Sequence, residues 1–275
     1  MKKTAAKLTA LALLAAAASC GRGAFPDAEP EIDFSGPPDI DLANYELTFE
    51  EEFDSLDVSG RRCDSRWIAH TPYNGDFGAA AFVDPSRDFP FVTRDGVLRI
   101  EARKQPEFGW QAGLLSSWNT CNEGFAQQYG YFEISTKLPA SEGFWPAFWL
   151  LGTDREKFAA EIDVFEYHTN RPHRLELTVH IHAPADQNPY KMGYAQQIKP
   201  GMLSEKFNTY GVDFQAEEMI FYLNRKEIWR TPTLPRFRQP HYILLNLAMD
   251  GGEITENTPN SEYMYVDYVR VYARK

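Results

Sequence analysis

The chain is 275 residues long, 43% hydrophobic and 14% aromatic, with a formal net charge of −11. That apolar content supports one large domain with its own core and excludes a disordered or low-complexity protein. The acidic balance argues against nucleic acid and anionic membrane surfaces as partners, and favours a neutral or weakly charged ligand.

In chain order, Lys2 and Lys3 precede an apolar run from Leu8 to Ala18, which is too short to span a bilayer as a mature helix, and then Ala17-Ala18-Ser19-Cys20. This reads as a bacterial lipoprotein signal, residues 1–20, with Cys20 as the lipidated residue; an ordinary secretory leader cut elsewhere is the alternative. The expected location is the cell envelope, periplasmic or at the outer membrane or surface, with membrane contact only through the N-terminal lipid anchor. Loss of Lys2, Lys3 and Lys7 with the leader takes the net charge from −11 to −14. Residues 21–45 carry Pro26, Pro30, Pro37 and Pro38 among Asp27, Glu29, Glu31, Asp33, Asp39 and Asp41, and read as a flexible tether.

Residues 46–275 read as a single catalytic domain. Short alternating runs, such as 96–102, 175–182 and 265–271, are separated by Gly, Pro, Asn and Asp turns, and helical periodicity is scarce. Many strands without intervening helices predict an all-β sandwich of two packed antiparallel sheets. Cys63 and Cys121 are available to pair in an oxidising compartment, but the sequence does not show whether they approach closely enough to do so. No Cys/His cluster has zinc spacing.

The most informative segment is Glu161-Ile162-Asp163-Val164-Phe165-Glu166, three carboxylates in what otherwise reads as a buried strand. Side chains alternate between the faces of a strand, so Glu161 and Asp163 share one face and Glu166 falls on the other. One β-bulge near Val164 or Phe165 restores Glu166 to the shared face. Two carboxylates in different environments divide the work of acid and nucleophile, with Asp163 between them as an assistant. The bland alternatives are a solvent-facing acidic edge or a cation site without catalysis.

Upstream lie Tyr129-Gly130-Tyr131-Phe132-Glu133-Ile134-Ser135 and Gly143-Phe144-Trp145-Pro146-Ala147-Phe148-Trp149. Downstream lie Phe207-Asn208-Thr209-Tyr210-Gly211-Val212-Asp213, Leu244-Leu245-Asn246-Leu247-Ala248 and Val266-Asp267-Tyr268-Val269-Arg270-Val271-Tyr272. This order resembles glycoside hydrolase family 16, in its bulge-containing E-x-D-x-x-E branch, from about residue 45 to the end of the chain.

The resemblance implies a β-jelly-roll whose concave sheet forms an open substrate cleft. The implied activity is that of a monomeric, retaining, endo-acting hydrolase of a polysaccharide, with Glu161 as nucleophile, Asp163 assisting and Glu166 as acid/base. Trp145 and Trp149 would line subsites beside the scissile bond. Trp118 is a candidate sugar platform, His180 a hydrogen-bonding group in the cleft and Asn246 a substrate contact; each has a plain packing role as its alternative. Trp67, Trp110 and Trp229 read as packing residues. No cofactor is implied for catalysis, but a structural calcium (Ca2+) away from the cleft is, at Gly96 and Asp267.

Two departures from the β-1,3-glucanase pattern fall where sugar contacts are expected. Gly251-Gly252-Glu253-Ile254 lacks a tryptophan, and Ser135 stands where those enzymes carry arginine. The substrate therefore stays open among β-1,3- or mixed-linkage β-glucans, a bacterial exopolysaccharide and β-galactans of the agarose or porphyran type. A transglycosylase and a non-catalytic glycan-binding protein are the other functional classes; the second would ordinarily have lost Glu161 or Glu166.

Overall fold

A computed structural model describes residues 32–34, 36–73, 75–184 and 187–275. The leader, Cys20 and the tether as far as residue 31 lie outside the described residues.

Among the described residues the architecture is two stacked sheets, of nine and ten strands. The short helix Met202–Glu205 and the 3-10 turns Leu42–Asn44 and Pro235–Phe237 lie among the connections. The nine-stranded inner sheet is centred on Ala159–Glu166, flanked by Phe144–Gly152 and Arg174–His182, with His241–Met249 beyond the first and Tyr190–Gln197 beyond the second. The outer sheet is built around Gly130–Lys137, Ser261–Arg274 and Asn208–Phe214. The jelly-roll sandwich expected from the alternating runs is thus present. The pairing is antiparallel throughout except for two short parallel contacts, Val58–Ser59 with Trp67–Ile68 and Ala81–Phe82 with Gly109–Ala112.

The inner sheet turns one face to the core and the other to the cleft. Phe148, Leu150, Ile162 and Phe165 pair across neighbouring strands and are at most 1% exposed. The Phe165 ring meets Tyr210 of the outer sheet with centroids 4.4 Å apart. Each such side chain removed from water contributes about 1.5–3 kcal/mol, so the register of the central strand is held by its apolar half.

Two expectations are corrected here, and one open question is answered. Residues 32–34 and 36–45 are not a free tether: Ile32 and Phe34 pack against the main core, Ile40 is buried with Tyr131 and Tyr222, and Asp39 binds Lys226 Nζ at 2.7 Å. Apolar residues spaced between the prolines supply that docking surface. Ser135 is not a cleft residue; it sits in the outer sheet, where its hydroxyl donates to Asp267 Oδ2 at 3.2 Å. Its neighbour Glu133, fully buried, accepts from Tyr131, Tyr268 and Arg225. Cys63 and Cys121, whose pairing the sequence leaves open, form a disulfide with Cα atoms 5.9 Å apart.

Gly96 and Asp267 lie on adjoining parts of the outer sheet, since Leu98 pairs with Val266. Gly96 has a left-handed backbone (φ +71°), with the Asp54 carboxylate and the Glu52 carbonyl beside it. The Asp54 carboxylate and the Glu52 carbonyl are oxygen donors of the type calcium takes.

Candidate active site

The central strand carries the bulge that the acidic run requires. Phe148 pairs with Phe165 and Trp149 with Asp163, so Val164 has no partner in that ladder. The extra residue returns Glu166 to the face already occupied by Glu161 and Asp163. On the other side, Glu161 pairs with His180, Asp163 with Thr178 and Glu166 with Glu176. All three carboxylates line a cleft of about 600 Å³, together with Trp145, Trp149, His180 and Asn246.

The three carboxylates have different surroundings. Glu166 is pushed up to about 8 by burial first, then by the negative charges of Asp163 and Glu161, against the opposing effect of His180. It accepts a hydrogen bond from the Trp145 indole N–H at 3.2 Å. Asp163, 5% exposed, is held well above the usual carboxylate range by burial and by Glu161. Glu161 sits in a more open position, with His182 Nε2 3.0 Å and His180 Nε2 3.9 Å from its Oε1. His180 Nε2 also lies 3.2 Å from Asp163 Oδ2. Side-chain atoms of Asp163, Glu166 and His180 all fall within 4.8 Å of one another, so the expected histidine is at the centre of the group. Burial lowers His180 below the usual histidine range, whereas the hydrogen bond to Glu161 raises His182.

The aromatic residues divide their roles. Trp145 is partly exposed and stacks on His168 at 5.0 Å, and Phe77 closes edge-on against both Trp145 and Trp149. Trp149 is only 5% exposed and donates its indole N–H to Asn246 Oδ1 at 2.9 Å. Asn246, 0% exposed, also donates to the Trp145 carbonyl at 3.3 Å. Its amide is therefore spent on the scaffold: Asn246 fixes the two tryptophans, and the expectation of a substrate contact is corrected to a positioning role. Trp118 does not line the main cleft but stacks on Tyr242 at 6.3 Å. Trp67 is fully buried and donates to Glu51, and Trp229 packs on Tyr194 and Phe221, as packing residues should.

Several cleft residues were not singled out from the sequence: His182, His168, Tyr73, Phe77, Arg155 and Lys191. For His182 a signal existed, because His180-x-His182 on a strand places both rings on one face, and they stack at 4.9 Å. Glu253, from the segment that lacks the tryptophan, reaches the cleft margin. Its Oε2 lies 3.7 Å from His168 Nδ1 and its Oε1 lies 3.3 Å from Arg171 Nε, while Asp250 stands 3.4 Å from the same histidine nitrogen.

Clustered carboxylates of unequal environment, walled by indole rings, thus lie in the open cleft of a jelly-roll sandwich. Residues 88–269 match the family model described as Glycosyl hydrolases family 16, and the chain belongs to that family. It is 33% identical over 194 residues to the endo-1,3-1,4-beta-glycanase EglC of Rhizobium meliloti (strain 1021), a match covering 67% of this chain and 40% of that protein. The endo-1,3-1,4-beta-glycanase ExsH of the same organism is 28% identical over 257 residues, covering 85% of this chain and 53% of that protein. The chain thus spans about half the length of these curated relatives. Among solved structures, the catalytic domain of an endo-1,3-beta-glucanase (laminarinase) from Thermotoga petrophila RKU-1 superposes with a TM-score of 0.64 at 23% identity, covering 84% of this chain and 98% of that one.

Proposed function

We propose that this chain is a retaining, endo-acting glycanase that cleaves a β-linked polysaccharide by double displacement. The observation that carries this reading is the division of labour on one strand: Glu166 keeps a proton to about pH 8 while Glu161, beside it, is hydrogen-bonded by His182. Glu161 attacks the anomeric carbon as Glu166 passes its proton to the departing glycosidic oxygen, so that one bond to the sugar forms as the other breaks. The resulting glycosyl ester is then hydrolysed by water, which gives its proton back to Glu166. Asp163, held toward its protonated form by burial and by Glu161, stands between them, and His180 lies 3.2 Å from its Oδ2.

The open cleft suits internal cleavage of a long chain. The endo-1,3-1,4-beta-glycanases and the glucan endo-1,3-beta-glucosidase among its relatives support a β-1,3-1,4- or β-1,3-linked backbone. The Ala17-Ala18-Ser19-Cys20 motif supports lipid anchoring at Cys20 in the cell envelope, and the Cys63–Cys121 disulfide is in keeping with an oxidising compartment. Calcium held near Gly96 and Asp267 would brace the outer sheet without entering the reaction.

The test is product analysis of the purified protein on laminarin, mixed-linkage glucan, agarose, porphyran and an acidic exopolysaccharide, with Glu161→Gln in parallel. Discrete oligosaccharides from wild type and none from the variant support the proposal. Binding without release of product from any polymer opposes it.

A further inference from the structure

The acidic balance of the whole chain favours a neutral glycan, but charge is not uniform within the cleft. Beside Glu161 the wall carries two basic side chains, Arg155 and Lys191. Arg155 belongs to the 153–158 connection that leads into the catalytic strand, and its guanidinium lies 3.6 Å over the ring of Tyr73. Among the described residues no carboxylate forms an ion pair with Arg155, although the chain has 39 acidic side chains. Lys191 lies on the neighbouring edge strand, opposite His180.

Stacking uses only the face of a guanidinium. The guanidinium also reaches the Tyr242 hydroxyl; its remaining in-plane N–H groups keep the geometry that matches a carboxylate, and the ring beneath fixes their plane. The carboxyl trio opposes an incoming anion less than three charges would, because Asp163 is held toward its neutral form and Glu166 keeps its proton to about pH 8.

We propose that Arg155, stacked on Tyr73 and seconded by Lys191, is a subsite for a carboxylate carried by the substrate, so that the preferred polymer is an acidic β-glycan and not a neutral one. This rests on the glycanase reading above and names the substrate class of the same cleft.

The experiment compares mixed-linkage β-1,3-1,4-glucan with the same glucan after a fraction of its C6 hydroxymethyl groups has been oxidised to carboxylates. With wild type, kcat/KM on the oxidised polymer should exceed that on the parent by about tenfold or more, the worth of one charge-assisted hydrogen bond. Half-molar salt should shrink that ratio. Arg155→Met should bring it toward one, chiefly through KM, and Arg155→Lys should recover part of it. Equal rates on the two polymers, a preference for the neutral one, or an Arg155→Met variant that loses the same factor on both would overturn the subsite.

Retention in gels cast with either polymer, using Glu161→Gln protein, reads the same preference without hydrolysis. Stronger retention by the oxidised polymer, abolished by Arg155→Met in that background, supports the subsite even if wild type cleaves neither, in which case the glycanase reading fails alone. Equal retention by both polymers counts against the subsite whatever the rates. Circular dichroism of each variant identifies loss of fold.

Discussion

The indole N–H of Trp145 donates to Glu166 Oε1 across 3.2 Å, while the same ring lies on His168 at a centroid distance of 5.0 Å and an angle of 19°. The proposed acid is therefore held by a side chain that is itself clamped, and the hydrogen bond favours the charged form of a carboxyl that burial drives the other way.

The alkaline limb of the pH profile follows from that balance. Glu166 must be protonated to act as the acid, so kcat/KM should fall as pH rises through about 8. Glu166→Gln should cost about 10²–10⁴ in rate. Trp145→Phe removes a donor to the charged form, so it should move the limb to higher pH; a shift to lower pH would contradict the assignment.

Stability should carry the opposite signature. A Glu raised from 4.5 to about 8 binds more protons folded than unfolded between those values, so it costs stability that grows as pH rises through that window. Glu166→Gln should therefore leave stability nearly unchanged at pH 4.5 and raise it by about 2–4 kcal/mol at pH 8, at about 1.4 kcal/mol per pH unit before relaxation. Denaturant unfolding of both proteins across that range checks it; a difference independent of pH contradicts it.

His182 binds Glu161 at 3.0 Å and is half-exposed, its folded value raised by that bond. Its contribution to stability is complete below the unfolded value near 6.5 and is lost as pH rises through the folded one. Exposure keeps it under about 1 kcal/mol. For activity, His182→Ala should lower kcat about tenfold with partial recovery in His182→Gln, read from kcat and KM separately; unchanged kcat with a raised KM would make His182 a substrate contact alone.

The bulge is testable by removing it. Deleting Val164 closes the ladder into the regular alternation Glu161-Ile162-Asp163-Phe165-Glu166, which keeps all three carboxylates on the cleft face and draws Glu166 one residue nearer Glu161. Activity should survive the deletion at a reduced level, because both carboxylates still face the cleft at an altered spacing, and Val164→Ala, which keeps the bulge, should retain full activity. A deletion variant that folds, by circular dichroism, yet has no activity would contradict the geometry.

That bulge also shows how much the sequence makes legible. The spacing of Glu161, Asp163 and Glu166 is incompatible with a regular two-residue repeat on one face, so the local distortion can be read from six residues, as can the alternating strands around it. What stays hidden depends on distant contacts. Asn246 is a cleft residue by position, but its amide is consumed by Trp149 and the Trp145 carbonyl, which no local pattern reveals. His168, Asp250 and Glu253 converge from separate connections. The docking of Ile40 depends on Tyr131 and Tyr222 far along the chain. Ser135 shares its segment with family signatures yet belongs to the opposite sheet, because strand order and not sequence proximity decides which face a residue serves.

The central claim is that Glu161 and Glu166 perform a double displacement. The measurement that tests it most directly is proton NMR of the first product released from whichever polymer wild type cleaves, recorded before mutarotation. The β-anomer should appear first and the α-anomer grow in later, as two successive inversions require. An α-anomer appearing first, or product formation undiminished in Glu161→Gln, would contradict the account.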